Sequence, residues 1–371
     1  MHYSGKTLKD FRDKGEALLE LEGRPEAWDR FVAWEDDVSN WLKQFGTDSD
    51  LLAEWKLLGS SKMLSGRGNS EDQSQPWQYR MAVNKRLFWL KRFPTDLTQA
   101  RSANPENDRF NAPAVIDHIV RWLVARCEDA NRNGFVVGVS GGIDSAVTST
   151  LCAKTGKAVL ALNMPIHQSP DQKDRSAQHI QWLEKRHENV RGNQTDLTAA
   201  FQALQHCLPE EIQDELTMAN TRARMRMITL YAFASHHRML VVGTGNKVED
   251  FGVGFFTKYG DGGIDISPIA DLMKSEVYKL GHALGIIDTI LQALPTDGLW
   301  ADNRSDEGQL GATYDELEWA MDFETKPAKG NDLTPRQQEV LQIYRRLHRA
   351  GLHKMEPIPV CRIEEAIKYR R

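Results

Sequence analysis

Short apolar runs alternate with amphipathic stretches over residues 114–243, which predicts a doubly wound parallel α/β sheet with flanking helices. A change of character near residue 112 predicts a second unit ahead of it. That unit is a small, mainly helical, Trp-rich N-terminal domain over 1–93, followed by a linker at 94–111 and the α/β domain at 112–371. A Gly/Ser turn between a strand and a helix, Ser140-Gly141-Gly142-Ile143-Asp144-Ser145, marks the end of the sheet where a ligand is expected.

The elements follow from local pattern. Phe31, Trp34, Val38, Trp41, Leu42 and Phe45 recur at helical spacing between Pro25 and Gly46. A shorter helix is expected at 50–58, a polar Gly/Ser-rich loop at 60–75, and a third helix at 76–93. Beyond the linker, a helix is expected at 114–131 and a buried strand at Phe135–Val139. Helices at 143–155, 171–187 and about 220–236 alternate with strands at 157–163 and 238–243. A polar connector at 323–338 leads into a last helix at 335–350.

With 40% apolar and 27% charged residues in 371, the chain can bury a substantial core. No apolar stretch approaches the roughly 20 residues a membrane span needs, and the N-terminus shows no secretory signal. Four scattered cysteines (Cys127, Cys152, Cys207 and Cys361) make no CxxC motif, so a reduced, cytoplasmic protein is expected. A net charge of −5 argues against nucleic acid bound over the whole surface.

In the turn after residue 139, Gly141 and Gly142 let backbone N–H groups approach an anion, and the following helix aims its positive end at the same point. Ser140 and Ser145 add hydroxyls, and Asp144 is a carboxylate suited to a cation that bridges phosphates. The spacing is not that of a Walker A loop. A plain Ser/Gly helix cap is the other reading of these six residues. SGGIDS resembles the pyrophosphate loop of the ATP pyrophosphatase group, a Rossmann-like fold whose members adenylate an oxygen atom and release pyrophosphate.

A longer stretch chooses within that group. Phe255-Phe256-Thr257-Lys258-Tyr259-Gly260-Asp261-Gly262-Gly263-Ile264-Asp265 resembles the signature of NAD synthetases. Thr221–Met227, Pro295–Trp300, Ser305–Glu307, Leu310-Gly311 and His353-Lys354 are similar to the same family in order and approximate spacing. The resemblance covers about residues 112–365 and implies a ligase that uses ATP and Mg²⁺ to amidate deamido-NAD to NAD. It implies that Gly138, Ser140, Gly141, Gly142, Asp144 and Ser145 hold the ATP phosphates, with Thr244, Lys274 and Thr296 also on ATP. It implies Asp144 and Glu249 as Mg²⁺ ligands. Arg224, Lys258, Asp265, His353 and Lys354 would contact the dinucleotide, with Asp144, Lys258 and Asp265 taken as catalytic. A homodimer whose interface helps form the dinucleotide site is implied as well.

The residues themselves agree with that chemistry. Asp144 and Glu249 each follow a strand end, where two carboxylates could share a hard cation among phosphates. Lys258, Lys274 and Arg224 are cations for phosphates, and the glycines around Asp261 suit a lid. Other readings stay open: a solvated acid for Glu249, a helix-face lysine for Lys274, a structural ion pair for Arg224, a turn former for Asp265, and a surface histidine for His353. Two further functions stay open, a related amidotransferase acting on a different carboxylate and a tRNA-modifying ATP pyrophosphatase.

Residues 1–110 contain no cysteine and therefore no thiolate for a glutaminase, so free ammonia is the expected nitrogen source. Six of the ten tryptophans fall in this region, which suits the aromatic core of a small helical domain. A docking surface for an unknown partner is a second reading. Segment 76–93, with five basic and no acidic residues, suggests a nucleic-acid contact, but 17 basic against 18 acidic residues over 1–110 argue against it.

Overall fold

Four parallel strands in the order β3-β2-β1-β4 form the centre of the α/β unit. The computed structural model describes residues 8–21, 26–42, 83, 86, 110–168, 170–293, 306–325, 333–363 and 365–368. Helix α1 (Leu8–Leu19) and α2 (Ala27–Leu42) belong to a compact unit distinct from the one that begins at Ala112. In it Trp34 donates its indole N–H to the Phe11 carbonyl at 2.9 Å, and the Phe31 and Trp34 rings stand 5.9 Å apart. Arg86 is buried, lies over the Phe31 ring and pairs with Glu35.

The second unit opens with α3 (Ala112–Asp129), which feeds β1 (Gly134–Gly138). Next come α4 (Ile143–Lys154), β2 (Ala158–Asn163), α5 (Pro170–Arg186), β3 (Val190–Gln194), α6 (Thr198–Cys207), α7 (Glu215–His237) and β4 (Leu240–Val242). Val136 pairs with Leu160 of β2 on one side and Val241 of β4 on the other. The chain therefore builds outward from β1 through β2 to β3, then crosses back to place β4 on the opposite side of β1. That reversal opens a crevice beyond the carboxyl ends of β1 and β4.

Both faces of the sheet are covered at its centre, so β1 and β4 read as continuous apolar runs rather than alternating ones. Phe135, Val136 and Val137 are fully buried, and Val136, Leu162, Met227, Leu230 and Val241 share one core with α7. Helix α4 is buried from Ser145 to Ala153 and at Ile143, with Ser149 bonded to His179 of α5 at 3.0 Å. Burial pushes His179 down to about 4, so it is a neutral core residue at physiological pH.

After β4 a π-helical turn (Val248–Val253) leads to α8 (Lys274–Leu284), α9 (Asp288–Leu291), α10 (Asp306–Leu310), α11 (Tyr314–Thr325), α12 (Pro335–Met355) and α13 (Glu365–Lys368). Val248 and Val253 of the turn join Leu317, Val340, Leu341 and Tyr344 in a second core. Among the described residues, no helix is long and apolar enough to cross a membrane.

Several elements differ from the pattern-based expectation. β3, with sequence VRGNQ, buries only Val190 and so gives no apolar run. Helix α7 starts at Glu215 rather than 220, because the Asp214 carboxylate caps the N–H of Thr217. Helix α12 starts at Pro335 behind its Thr334 cap, as expected, but continues through Gly351 to Met355 instead of stopping at 350. A side chain at Gly351 would meet Gly254 Cα at 3.0 Å, so this glycine serves close packing rather than a helix end. Helix α11 begins before the expected connector at 323–338 and occupies its first three positions. The expected helix at 50–58, loop at 60–75 and most of the linker lie outside the described residues, as does all of 76–93 except Val83 and Arg86, both helical.

Leu162 is fully buried in the sheet core. Leu162→Ala is expected to lower unfolding stability by about 2–5 kcal/mol, read from the urea midpoint at constant m.

Candidate functional site

The first wall of the crevice is the turn after β1. Gly141 adopts φ +84, a left-handed conformation that glycine takes without strain. Ser140 Oγ lies 3.1 Å from Ser145 Oγ and accepts the Gly142 N–H at 3.3 Å, while Ser145 Oγ donates to the Gly142 carbonyl at 3.0 Å. The buried Ser176 hydroxyl of α5 pins the Val139 carbonyl at 2.6 Å. Gly142 is extended and no side chain caps α4, so the first-turn N–H groups and the positive end of the helix point into the crevice.

The second wall follows β4. Asn246, wholly buried, accepts the backbone N–H groups of Val248 and Glu249 at 3.1 Å each and so fixes the start of the π-helical turn. The turn carries Glu249 inward. Across the crevice the Asn246 amide donates to Asp144 at 3.2 Å.

Lys274 joins the walls. Its ammonium donates to Asp144 at 2.6 Å and to Glu249 at 2.9 Å, with only 4% of its side chain exposed. It occupies the first position of α8, where the helix dipole opposes a cation. Glu276 accepts the Met273 N–H at 2.8 Å, and Glu318 of α11 accepts the Ser275 N–H and hydroxyl at 2.8 and 2.7 Å. Those acids offset the dipole and hold the start of the helix. Tyr314 completes the cluster. Its hydroxyl donates to Glu249 at 2.6 Å, and the Lys274 ammonium lies 4.7 Å from its ring centroid.

One ammonium between two carboxylates leaves a net negative charge. Burial opposes charge on all three groups, yet the two carboxylates hold Lys274 well above its ordinary value and therefore charged. Burial also pushes Glu249 up, but Lys274 and the Tyr314 hydroxyl outweigh it and hold the acid below its usual range. Asp144 goes the other way, raised by burial more than Lys274 and Asn246 lower it. A divalent cation suits this balance. Among the described residues no group of three or more acids, histidines or cysteines is placed to hold a metal ion by itself. Mg²⁺ commonly takes one or two carboxylates and fills its shell with phosphate oxygens and water, so the donor set fits Mg²⁺ carried in with a nucleotide.

The other expected contacts form a second cluster. Lys354, on the last turn of α12, donates to the Phe256 carbonyl at 2.7 Å and also to that of Gly254. Lys258 donates in the reverse direction, to the His353 carbonyl at 2.6 Å, and Arg224 Nε reaches the Lys258 carbonyl at 3.3 Å. The loop and the end of α12 are thus laced together by lysines from both sides. His353 is exposed, and its ring contacts the Ala350 carbonyl. Asp265 is engaged at the edge of β4, accepting the Tyr231 hydroxyl at 2.9 Å and the Val241 N–H at 2.8 Å. Thr244, half-buried, and Gly138 lie just beyond and at the ends of β4 and β1. Thr296 lies outside the described residues.

Asn246, Tyr314 and Asp250 belong to the site but were not singled out in the sequence. The position of Asn246, three residues before Glu249 at a turn, is a capping signal. Tyr314 reaches Glu249 from 65 residues away and leaves no local trace.

Residues 115–357 match the NAD synthase family model. The chain is 38% identical to the NH(3)-dependent NAD(+) synthetase of Alkaliphilus metalliredigens over 66% of its own length and 97% of that protein. It is 37% identical to the protein of the same name from Carboxydothermus hydrogenoformans, over 57% of this chain and 85% of that one. Among solved structures, the NMN synthetase of Francisella tularensis is 31% identical at a TM-score of 0.60, covering 68% of this chain and all of that one.

Asp250 is a buried acid set against Gly245, with Glu249, Asp261 and Asp144 around it. Burial first, and then those acids, push it from the ordinary 3.8 up to about 8. A carboxyl raised on folding contributes stability that is complete below its unfolded value and lost as pH rises through its folded one. Without metal or nucleotide, Asp250→Asn is expected to raise the urea midpoint, more at pH 8 than at pH 5. An equal change at both pH values would contradict this assignment.

Proposed function

The chain belongs to the NAD synthase family, and from that membership we propose that it amidates deamido-NAD to NAD with ATP and ammonia, releasing AMP and pyrophosphate. The observation that carries the reading is the single ammonium of Lys274 holding Asp144 and Glu249 beside the Ser140–Ser145 turn at the switch crevice. Relatives named NH(3)-dependent support ammonia as the nitrogen source.

The reaction divides into two steps. The nicotinate carboxylate attacks the α-phosphorus of ATP and pyrophosphate leaves; ammonia then attacks the adenylated carboxyl carbon, loses a proton and expels AMP. The turn from Ser140 to Ser145, with Gly138 behind it, holds the phosphates through backbone N–H groups and hydroxyls, and Lys274 neutralises charge that grows on the departing pyrophosphate. Asp144 and Glu249 would hold Mg²⁺, which when bound screens phosphate charge and stabilises the leaving group. Thr244, Lys274 and Thr296 complete the ATP contacts in this reading. Arg224, Lys258, Asp265, His353 and Lys354 line the dinucleotide side, with Lys258 trading the His353 carbonyl for a substrate phosphate.

A homodimer, a cytoplasmic location and a division into 1–93, 94–111 and 112–371 belong to the same proposal. The family match beginning at residue 115 supports treating the N-terminal region as an addition to the catalytic unit. The likeness to an NMN synthetase favours one second reading, in which the nicotinate carboxylate belongs to a mononucleotide.

Mass spectrometry of the end products tests both readings. Protein, ATP, Mg²⁺ and ammonium chloride are mixed with deamido-NAD in one tube and nicotinate mononucleotide in another, and glutamine replaces ammonium in a third. NAD and AMP from the first tube alone are expected. Amidated mononucleotide alone would move the assignment to the second reading, and no product in any tube would overturn both. Loss of outer partners of a metal site commonly costs about 10- to 100-fold, so Asp144→Asn, which alters a ligand itself, is expected to lower kcat by more than about 100-fold.

A further inference from the structure

We propose that Asn246 is the positioning residue that fixes Asp144 and Glu249 relative to each other, so that neither wall of the crevice can move without the other. The inference rests on the reading that these carboxylates hold the cation that accompanies ATP. It goes further by assigning their relative geometry to a third side chain that hydrogen-bonds to Asp144 and to the backbone of Glu249.

Three hydrogen bonds from one side chain carry it. The Asn246 carbonyl oxygen accepts from Val248 N and Glu249 N, and the amide nitrogen donates to Asp144 Oδ1. The orientation of the amide follows from its partners. Turned over, it would aim N–H groups at two backbone N–H donors and an oxygen at a carboxylate, unfavourable at every contact. The side chain is wholly buried, so water cannot take over any of these bonds at low cost. The bonds also differ in range. Two are local and set the turn that delivers Glu249, whereas the third spans 102 residues to the first turn of α4. Lys274 also touches both acids, but an ammonium attracts them from many directions, whereas a planar amide dictates direction as well as distance.

Capping and bridging can be separated by substitution. Asn246→Asp keeps the two acceptor contacts that cap the turn and replaces the donor to Asp144 with a second carboxylate oxygen. Asn246→Ser keeps a hydroxyl able to cap the turn but too short to reach Asp144. Mn²⁺ binding in the presence of an ATP analogue with a methylene bridge between the α and β phosphates, followed by electron paramagnetic resonance, reads the site without turnover. Asn246→Ser is expected to melt close to the parent protein and Asn246→Asp, whose new carboxylate is buried against Asp144, below it, and both are expected to bind Mn²⁺ about 10- to 100-fold more weakly. The kcat for amidation should fall by a similar factor, with KM for the dinucleotide within about twofold of the parent value. A folded variant of either kind with Mn²⁺ affinity and kcat equal to or better than the parent's would overturn the positioning role and leave capping as the whole function. Absence of nucleotide-dependent Mn²⁺ binding by the parent protein would overturn the metal-site reading and this inference together. An error in the choice of carboxylate substrate leaves the Mn²⁺ measurement unaffected.

Discussion

A buried ammonium between two buried carboxylates is the constraint on which the rest of the site depends. Lys274 loses its hydration on entering the interior, and the paired charges of Asp144 and Glu249 are the largest contributions that offset that loss. Removing one partner from such a group commonly costs about 3–5 kcal/mol, because the remaining charge stays buried. The three residues come from three places: the helix after β1, the turn after β4, and the start of α8. Forming the cluster therefore fixes the positions of three segments that the chain separates by 25 to 130 residues.

Sheet topology explains why those segments meet. With the order β3-β2-β1-β4, only β1 and β4 lead into the point where the direction of winding reverses. The loops leaving two such neighbours diverge to opposite faces and leave a crevice between them. The chain fills its floor with charge. Around it, hydroxyl, carboxylate and amide groups provide rigidity: Ser176 holds the loop carbonyl of Val139, Glu318 holds the start of α8, and Asn246 holds the turn of Glu249. The close approach of Gly254 and Gly351 lets α12 continue one more turn, and that turn delivers His353 and Lys354 to the loop.

Much of this was legible in the sequence where the governing physics is local. The run Phe135–Val139 followed by Ser140–Ser145 announced strand, glycine turn and helix, because apolar burial and glycine geometry act over a few residues. The start of α12 at 335 was read correctly as well, and the structure shows the local capping box of Thr334 and Gln337 that sets it. The polar edge strand β3 was illegible, since its pairing with β2 rests on backbone bonds and one buried valine. The end of α12 was placed short, at 350 rather than Met355; Gly351 lies inside the helix, where it permits close packing against Gly254. Order along the chain and family resemblance pointed to Lys274, but not to its bond with both acids. Tyr314 stayed silent because its role arises only when α11 folds against the turn.

The proposed assignment makes Asp144 and Glu249, held by Lys274, the cation ligands of the ATP site. Anomalous diffraction from crystals grown with Mn²⁺ and the methylene-bridged ATP analogue tests it most directly. A manganese peak within bonding distance of both carboxylates is expected, with phosphate oxygens completing its coordination. A nucleotide bound in the crevice with manganese held by other residues, or by neither of these two, would contradict it.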